Sequence, residues 1–356
     1  MGKGGVEVAA ASSSDEAEVV ARAEEQEVMS EVHLGCPPRC CGPFVSHFTF
    51  SLPCSPVVAD DVDGRHDGFL EVGRSTAGQA HCLDEDGDLV LPRRKKAYMN
   101  YNVAIQHRIT STIPDVGLQV WKAALVLADF VLHLSSTTPD FDDVTALELG
   151  AGTGIVLARV ARTLFLTDRD VEILDNCAIN AHLNSSMFKY HEASIHVREL
   201  DWRKSWPPSC ADADEFPAEH WSKYTWTSLE IEEAEGVSLL LAADVIYSEE
   251  LTDSFFSVVE SLMSRGSDKV LYLALEKRYN FSLDDLDVVA NGYLHFRSFL
   301  RDKEECSWHG DASSPCFVGE RIDLALIPQY VCEYERGKDL EIWKITYVAS
   351  RNSSST

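Results

Sequence analysis

Residues 146–168, ALELGAGTGIVLARVARTLFLTD, hold Glu148, three glycines spaced two apart (Gly150, Gly152, Gly154), and Asp168 at the end of the next apolar run. Glycines where a strand turns into a helix let backbone approach a ligand, and the helix N-terminus presents free N–H groups to negative charge. The spacing is not that of a dinucleotide loop, whose third glycine falls one residue later, where Ile155 stands. A P-loop is excluded because no Gly-Lys-Ser/Thr follows. Asp168, closing the second strand, is placed to accept both hydroxyls of a ribose. Asp201-Trp202 ends a third strand and offers an aromatic face to an adenine, and Asp244-Val245-Ile246-Tyr247 ends a fourth. Ligands of open α/β sheets bind outside the carboxyl ends of the strands, where Gly150, Asp168, Trp202 and Asp244 all fall. The competing account of Trp121 and Trp202 is core packing, and that of Asp244 and Tyr247 is capping at a strand end.

The elements that must hold these groups alternate strand and helix from about residue 116, the mark of a parallel sheet covered on both faces. The stretch VGLQVWKAALVLADFVL, with Val120, Ala124, Leu127 and Val131 at helical spacing, predicts one helix beside the sheet. Strands are expected at VTALELG, TLFLTD, SIHVRELDW, VSLLLAADVIY and KVLYLALE, then at IDLALIPQYVCEY and LEIWKITYV flanking the turn Arg336-Gly337-Lys338-Asp339. The expected architecture is therefore five parallel strands plus a C-terminal antiparallel hairpin, in a Rossmann-like α/β sheet.

In this order, VGLQVW, ALELGAGTG, the TD at Asp168, ELDW, ADVIY and EKRYNF resemble the seven-strand (class I) S-adenosylmethionine-dependent methyltransferases over about residues 115–348. Within them, the likeness is to the group of protein lysine methyltransferases that includes methyltransferase-like protein 22. The resemblance implies S-adenosylmethionine on the E-x-G-x-G-x-G loop that begins at Glu148. It also implies cofactor contacts at Trp121, Gly150, Ala151, Gly152, Asp168, Trp202 and Ala243, and places Asp244 and Tyr247 on a D-x-x-Y motif beside the methyl acceptor. One departure is the thirteen residues between Gly154 and Asp168, fewer than the family pattern has. A crossover helix over IVLARVAR would be only about 12 Å long. A working short helix, a distorted loop and altered splicing all account for it.

Methyl transfer to an amine is an in-line displacement in which positioning carries most of the catalysis. A lysine must first lose its proton, at a cost of roughly 4 to 5 kcal/mol at pH 7. Asp244 attracts an ammonium and also opposes that loss, which assigns it to binding and orientation with proton release to water. Tyr247 offers a π face to the cation, worth roughly 0.5 to 2 kcal/mol. Nucleobase amines are disfavoured because Val245 and Ile246 replace the Pro-Pro aromatic motif of such enzymes. Small-molecule acceptors remain open, as does a catalytically impaired protein-interaction module. Glu276-Lys277-Arg278 reads as an ion pair fixing a loop.

Composition narrows the partners. A net charge of -27 over 356 residues argues against direct nucleic-acid binding and favours a basic protein substrate. Residues 209–236 add eight acids against one lysine. Ten scattered cysteines read as free thiols; His33, Cys36, Cys40, Cys41 and His47 lack metal-site spacing, so no metal is expected. No apolar run reaches the ~18 residues of a membrane span. The expected location is cytoplasmic and/or nuclear, with Arg93, Arg94, Lys95 and Lys96 as an import signal or a solvated strand end. The expected segments are a disordered acidic tail (1–30), a β-rich segment (31–114) including SHFTFSL and GDLVLP, the catalytic domain (115–348) and a polar tail (349–356).

Overall fold

A computed structural model describes residues 27–32, 42–53, 82–83, 89–90, 98–138, 141, 143–154, 161–187, 194–210, 222–282, 287–302 and 316–349. The basic run at 93–96, His33, Cys36, Cys40 and Cys41, and crossover residues 155–160 lie outside them. Residues 51–101 cluster as one compact unit, described at 51–53, 82–83, 89–90 and 98–101, and the rest of the chain forms the other.

The larger unit is built on a sheet of β1 (Val144–Leu149), β2 (Ala161–Asp168), β3 (Ser194–Glu199), β4 (Leu239–Ala243), β5 (Val270–Glu276), β6 (Leu300–Arg301), β7 (Cys316–Ile322) and β8 (Leu340–Val348). Their order across the sheet is β6-β7-β8-β5-β4-β1-β2-β3. Strands β3, β2, β1, β4 and β5 run parallel, and β8 lies antiparallel to both β5 and β7. The order reverses between β1 and β4, so the carboxyl ends of these two strands open a crevice there. β4 is wholly apolar, and β1 is apolar but for Thr145 and Glu148, because both faces are covered, by helices α1 (Lys122–Thr137), α2 (Val171–Leu183), α3 (Ser228–Glu235), α4 (Glu249–Met263) and α5 (Asn291–Ser298).

Four expectations are corrected. The helix expected from Val116 is two pieces, a 3₁₀ turn over Ile113–Leu118 and α1 from Lys122, because Pro114 suits a helix start and Gln119 is extended in a bridge with Arg108. The strand expected at residues 322–334 is a loop with a 3₁₀ turn at Leu324–Leu326, and the partner of β8 is β7. Its backbone is committed elsewhere: fully buried Asp129 of α1 accepts the N–H groups of Tyr330 (2.7 Å) and Val331 (2.8 Å), and its other oxygen takes Tyr334 Oη and Arg336 (2.7 Å). Ala161 and Arg162, expected at the end of the crossover helix, belong to β2. Glu27–Met29, expected within the tail, pairs antiparallel with Thr110–Thr112.

The N-terminal strand Tyr98–His107 meets α2 through asparagines spaced one turn apart. Asn184 exchanges both hydrogen bonds with the Ala104 backbone (2.9 and 2.8 Å), and Asn180 does the same with Gln106 (2.7 and 2.9 Å). Asn176 adds a bond to the Gln106 carbonyl at 3.0 Å. Each carboxamide thus does for the strand what a neighbouring strand would. Asn180 also donates to the carbonyl of Thr153 at 3.0 Å, tying this strand to the glycine loop.

Candidate active site

The loop leaving β1 is held by backbone and by one carboxylate. Ala151 N donates to the Thr167 carbonyl at 2.8 Å, and Thr167 Oγ1 donates to the Glu148 carbonyl at 2.7 Å. Asp168 Oδ2 accepts the Gly152 N–H at 3.0 Å, and Oδ1 accepts the Arg169 N–H at 2.8 Å. Burial pushes the Asp168 carboxyl up, and these two donors hold it down in part. Gly150 (φ +70°) and Gly152 (φ +51°) occupy the left-handed region. A Cβ on Gly150 would stand 2.9 Å from Val245 Cγ1 and 3.2 Å from the Trp202 ring, and one on Gly152 2.9 Å from the Gly117 carbonyl oxygen.

Around this loop lies an open cavity of about 850 Å³, counted out into the solvent at its mouth. Trp121, Glu148, Gly150, Ala151, Gly152, Asp168, Trp202, Ala243, Asp244 and Tyr247, the ten residues singled out from sequence, all line it. Trp202 packs edge-on against Phe255 (centroids 5.1 Å apart), and its Nε1 is buried without a partner. Trp121 caps α1 at its start and donates from Nε1 to the Val116 carbonyl at 3.0 Å. Glu148 is buried with Oε2 unpartnered, its carboxyl pushed up to about 8 by burial and then by the charge of Asp168. Tyr247 is 47% exposed.

Asp244 departs from the simple reading of an open carboxylate. It holds a left-handed conformation (φ +55°) at the end of β4, with its N–H on the Ala274 carbonyl at 2.9 Å. Its side chain, 5% exposed, is already paired with Arg278. The ion-pair reading of Glu276-Lys277-Arg278 describes all three: Glu276 meets Lys122 at 3.4 Å, Lys277 meets Glu341 at 2.7 Å, and Arg278 meets Asp244. Of the eight acids in 209–236, Glu230 is bound to Arg198 and His196 and Glu235 to Arg265, so these two serve the fold.

Sequence reasoning missed Gln119, Gly117, Thr153 and Ile173, which also line the cavity. Gln119 Nε2 donates to the Val28 carbonyl and Ser111 Oγ, leaving its buried Oε1 unpartnered. Pro114 was the available signal, since it points to a turn that brings residues 116–119 over the loop.

A sequence profile of the lysine methyltransferase family matches residues 101–217. Human methyltransferase-like protein 22 is 34% identical over 322 residues, which cover 79% of this chain and 75% of that protein. The chain belongs to this family. The mouse protein of the same name is 34% identical over 280 residues, 77% of this chain and 67% of its own length. Protein N-lysine methyltransferase METTL21A of Xenopus tropicalis is 29% identical over 224 residues, 58% of this chain and 88% of that one. Methyltransferases of this family use S-adenosylmethionine as methyl donor, and the cavity suits it. Glycine backbone leaves room that a Cβ would fill, buried Glu148 Oε2 awaits a cationic or hydrogen-bonding partner, and the unpartnered Trp202 Nε1 awaits an acceptor.

A raised carboxyl in this cavity carries a stability signature. Glu148 sits near 8 in the fold against about 4.5 unfolded, so between these values the folded state holds the extra proton. Stability from this group is full below about pH 4.5, falls as pH rises, and levels off above about 8. Glu148→Gln removes that slope. The difference between wild-type and variant ΔG from urea melts at pH 5 and pH 9 is expected to change by a few kcal/mol; an equal difference at both pH values refutes the assignment.

Proposed function

We propose that this chain methylates lysine side chains in basic segments of a protein substrate. The observation that carries the reading is the convergence of the glycine loop, two carboxylates and the Asp244–Tyr247 strand end on one cavity, in a member of a lysine methyltransferase family. Bound there, S-adenosylmethionine supplies an electrophilic methyl, which a neutral lysine amine takes while the C–S electron pair stays with sulfur.

The chain's own residues position and exclude. Gly150, Ala151 and Gly152 offer backbone to the cofactor; Asp168 fixes Gly152 and presents its remaining lone pairs to ribose hydroxyls; Glu148 faces positive charge; Trp121, Trp202 and Ala243 form apolar walls. Asp244 and Tyr247 form the acceptor end, where the half-exposed tyrosine ring meets the incoming side chain. The net charge of -27 supports a basic partner by long-range attraction.

Tritiated methyl transfer into a cell extract, followed by digestion to amino acids, is expected to yield methyl-lysine; label in nucleosides, in small molecules or nowhere overturns the proposal. Asp168→Ala is expected to weaken cofactor binding by about tenfold or more, because it releases the Gly152 N–H as well as the ribose contact. Asp244→Ala leaves binding within a few-fold and removes transfer. Calorimetry with S-adenosylmethionine and the same methylation assay check the pair, and the reverse ranking refutes the division of roles.

A further inference from the structure

Arg278 stands at the junction of three parts of the molecule. Its guanidinium pairs with Asp244 Oδ2 at 2.5 Å, lies over the Trp121 ring at 4.8 Å from the centroid, and meets Glu31 at 3.4 Å. Asp244 belongs to the acceptor end and Trp121 to the cofactor wall. Glu31 comes from the N-terminal segment, which is fastened across the start of α1. Ser30 N donates to the Ile109 carbonyl at 3.0 Å, Ser30 Oγ donates to the Val120 carbonyl, and Gln119 reaches back to Val28. Glu276, one strand end away, is paired with Lys122 through Oε1 and keeps a buried Oε2 without a partner. The charged groups facing Arg278 are therefore Asp244, Glu31 and Glu276, with Lys122 balancing the last.

An unpaired aspartate beside an acceptor lysine creates a conflict. Its negative charge binds the ammonium and, by the same attraction, raises the pKa that must be overcome before the amine is nucleophilic. A guanidinium, which never releases its proton, eases the conflict by offsetting the charge of Asp244 at close range.

We propose that Arg278 is a positioning residue of the methyl-acceptor end, held by Glu31 and balancing Asp244, so that the substrate amine is received neutral. The inference rests on the lysine reading above. Burial pushes the Asp244 carboxyl up, Glu31 adds to that shift, and the charge and hydrogen bond of Arg278 oppose it. The guanidinium also lies over the Trp121 ring, a contact that helps hold Arg278 in place beside Asp244.

The test uses the full chain with Arg278→Gln, Arg278→Met and Arg278→Lys. S-adenosylmethionine affinity is measured by calorimetry, and initial rates of tritiated methyl transfer into a desalted extract of cells lacking this protein are measured from pH 6 to pH 10. The Gln and Met variants are expected to bind cofactor within about threefold of wild type, to transfer about tenfold more slowly at pH 7, and to show the acid limb of the rate profile about one pH unit higher. The Lys variant restores the limb. Two uncharged variants are used so that a folding defect in one does not decide the result. An acid limb unmoved in both uncharged variants overturns the proposal, as does a Lys variant as slow as they are with a uniform loss at every pH. Wild-type protein that binds no cofactor, or labels something other than lysine, brings down the lysine reading itself and this inference with it. A normal wild type with unshifted variants brings down this inference alone.

Discussion

Replacing Gly152 by valine is expected to weaken S-adenosylmethionine binding severely while the protein stays folded. At φ +51° any Cβ costs about 1 to 2 kcal/mol, and here that atom would also stand 2.9 Å from the Gly117 carbonyl oxygen, which belongs to backbone and cannot swing aside. A β-branched side chain adds overpacking of about 1 to 3 kcal/mol. The loop relieves both by moving, and moving it takes the Gly152 N–H off Asp168 Oδ2 and pushes the 113–118 turn from the cavity wall. Together these predict a loss of about 100-fold or more in affinity. Calorimetry reads the affinity, and far-UV dichroism shows that the sheet persists. Gly152→Ala falls between the two, and a valine variant with wild-type affinity would mean that the cofactor does not use this loop.

Asp129→Ala lowers stability by about 3 to 5 kcal/mol, a fall in Tm of the order of 10 °C. The carboxylate is fully buried and serves four donors: two backbone N–H groups, Tyr334 Oη and Arg336. Alanine leaves two buried amides without their acceptor and the Arg336 guanidinium without its counter-charge, which costs more than the hydrogen bonds contributed. Asp129→Asn keeps an oxygen for the amides and is expected to lose less. Urea melts of both variants measure the difference, and equal losses would show that the charge contributes nothing.

The five parallel strands were legible because β1, β2, β4 and β5 are short apolar runs closed by turn or polar residues, which a sheet covered on both sides requires. The site was legible for the same reason, since its residues sit at the ends of those runs. The final strand pair was half legible. IDLALIPQYVCEY is as apolar as a strand, yet Asp129, some two hundred positions upstream, takes its amides. The true partner, CFVGERI, carries Glu320 and Arg321 at its exposed end, and Arg321 is explained only by Glu341 across the ladder. Arg278 shows the same limit: its ion-pair character follows from its neighbours in sequence, but its partner Asp244 lies 34 residues away.

The asparagine row on α2 also decides how far the chain tolerates trimming. A product begun at residue 115, where alternation of strand and helix first becomes regular, has lost the amides of residues 104 and 106 that Asn184 and Asn180 were shaped to receive. One face of α2 then turns from a dry seam into a wet polar surface, and Asn180 keeps Thr153 as its last tether to the cofactor loop. The smallest working enzyme is therefore longer than its sheet and helices suggest, because an upstream strand completes the helix that steadies the loop.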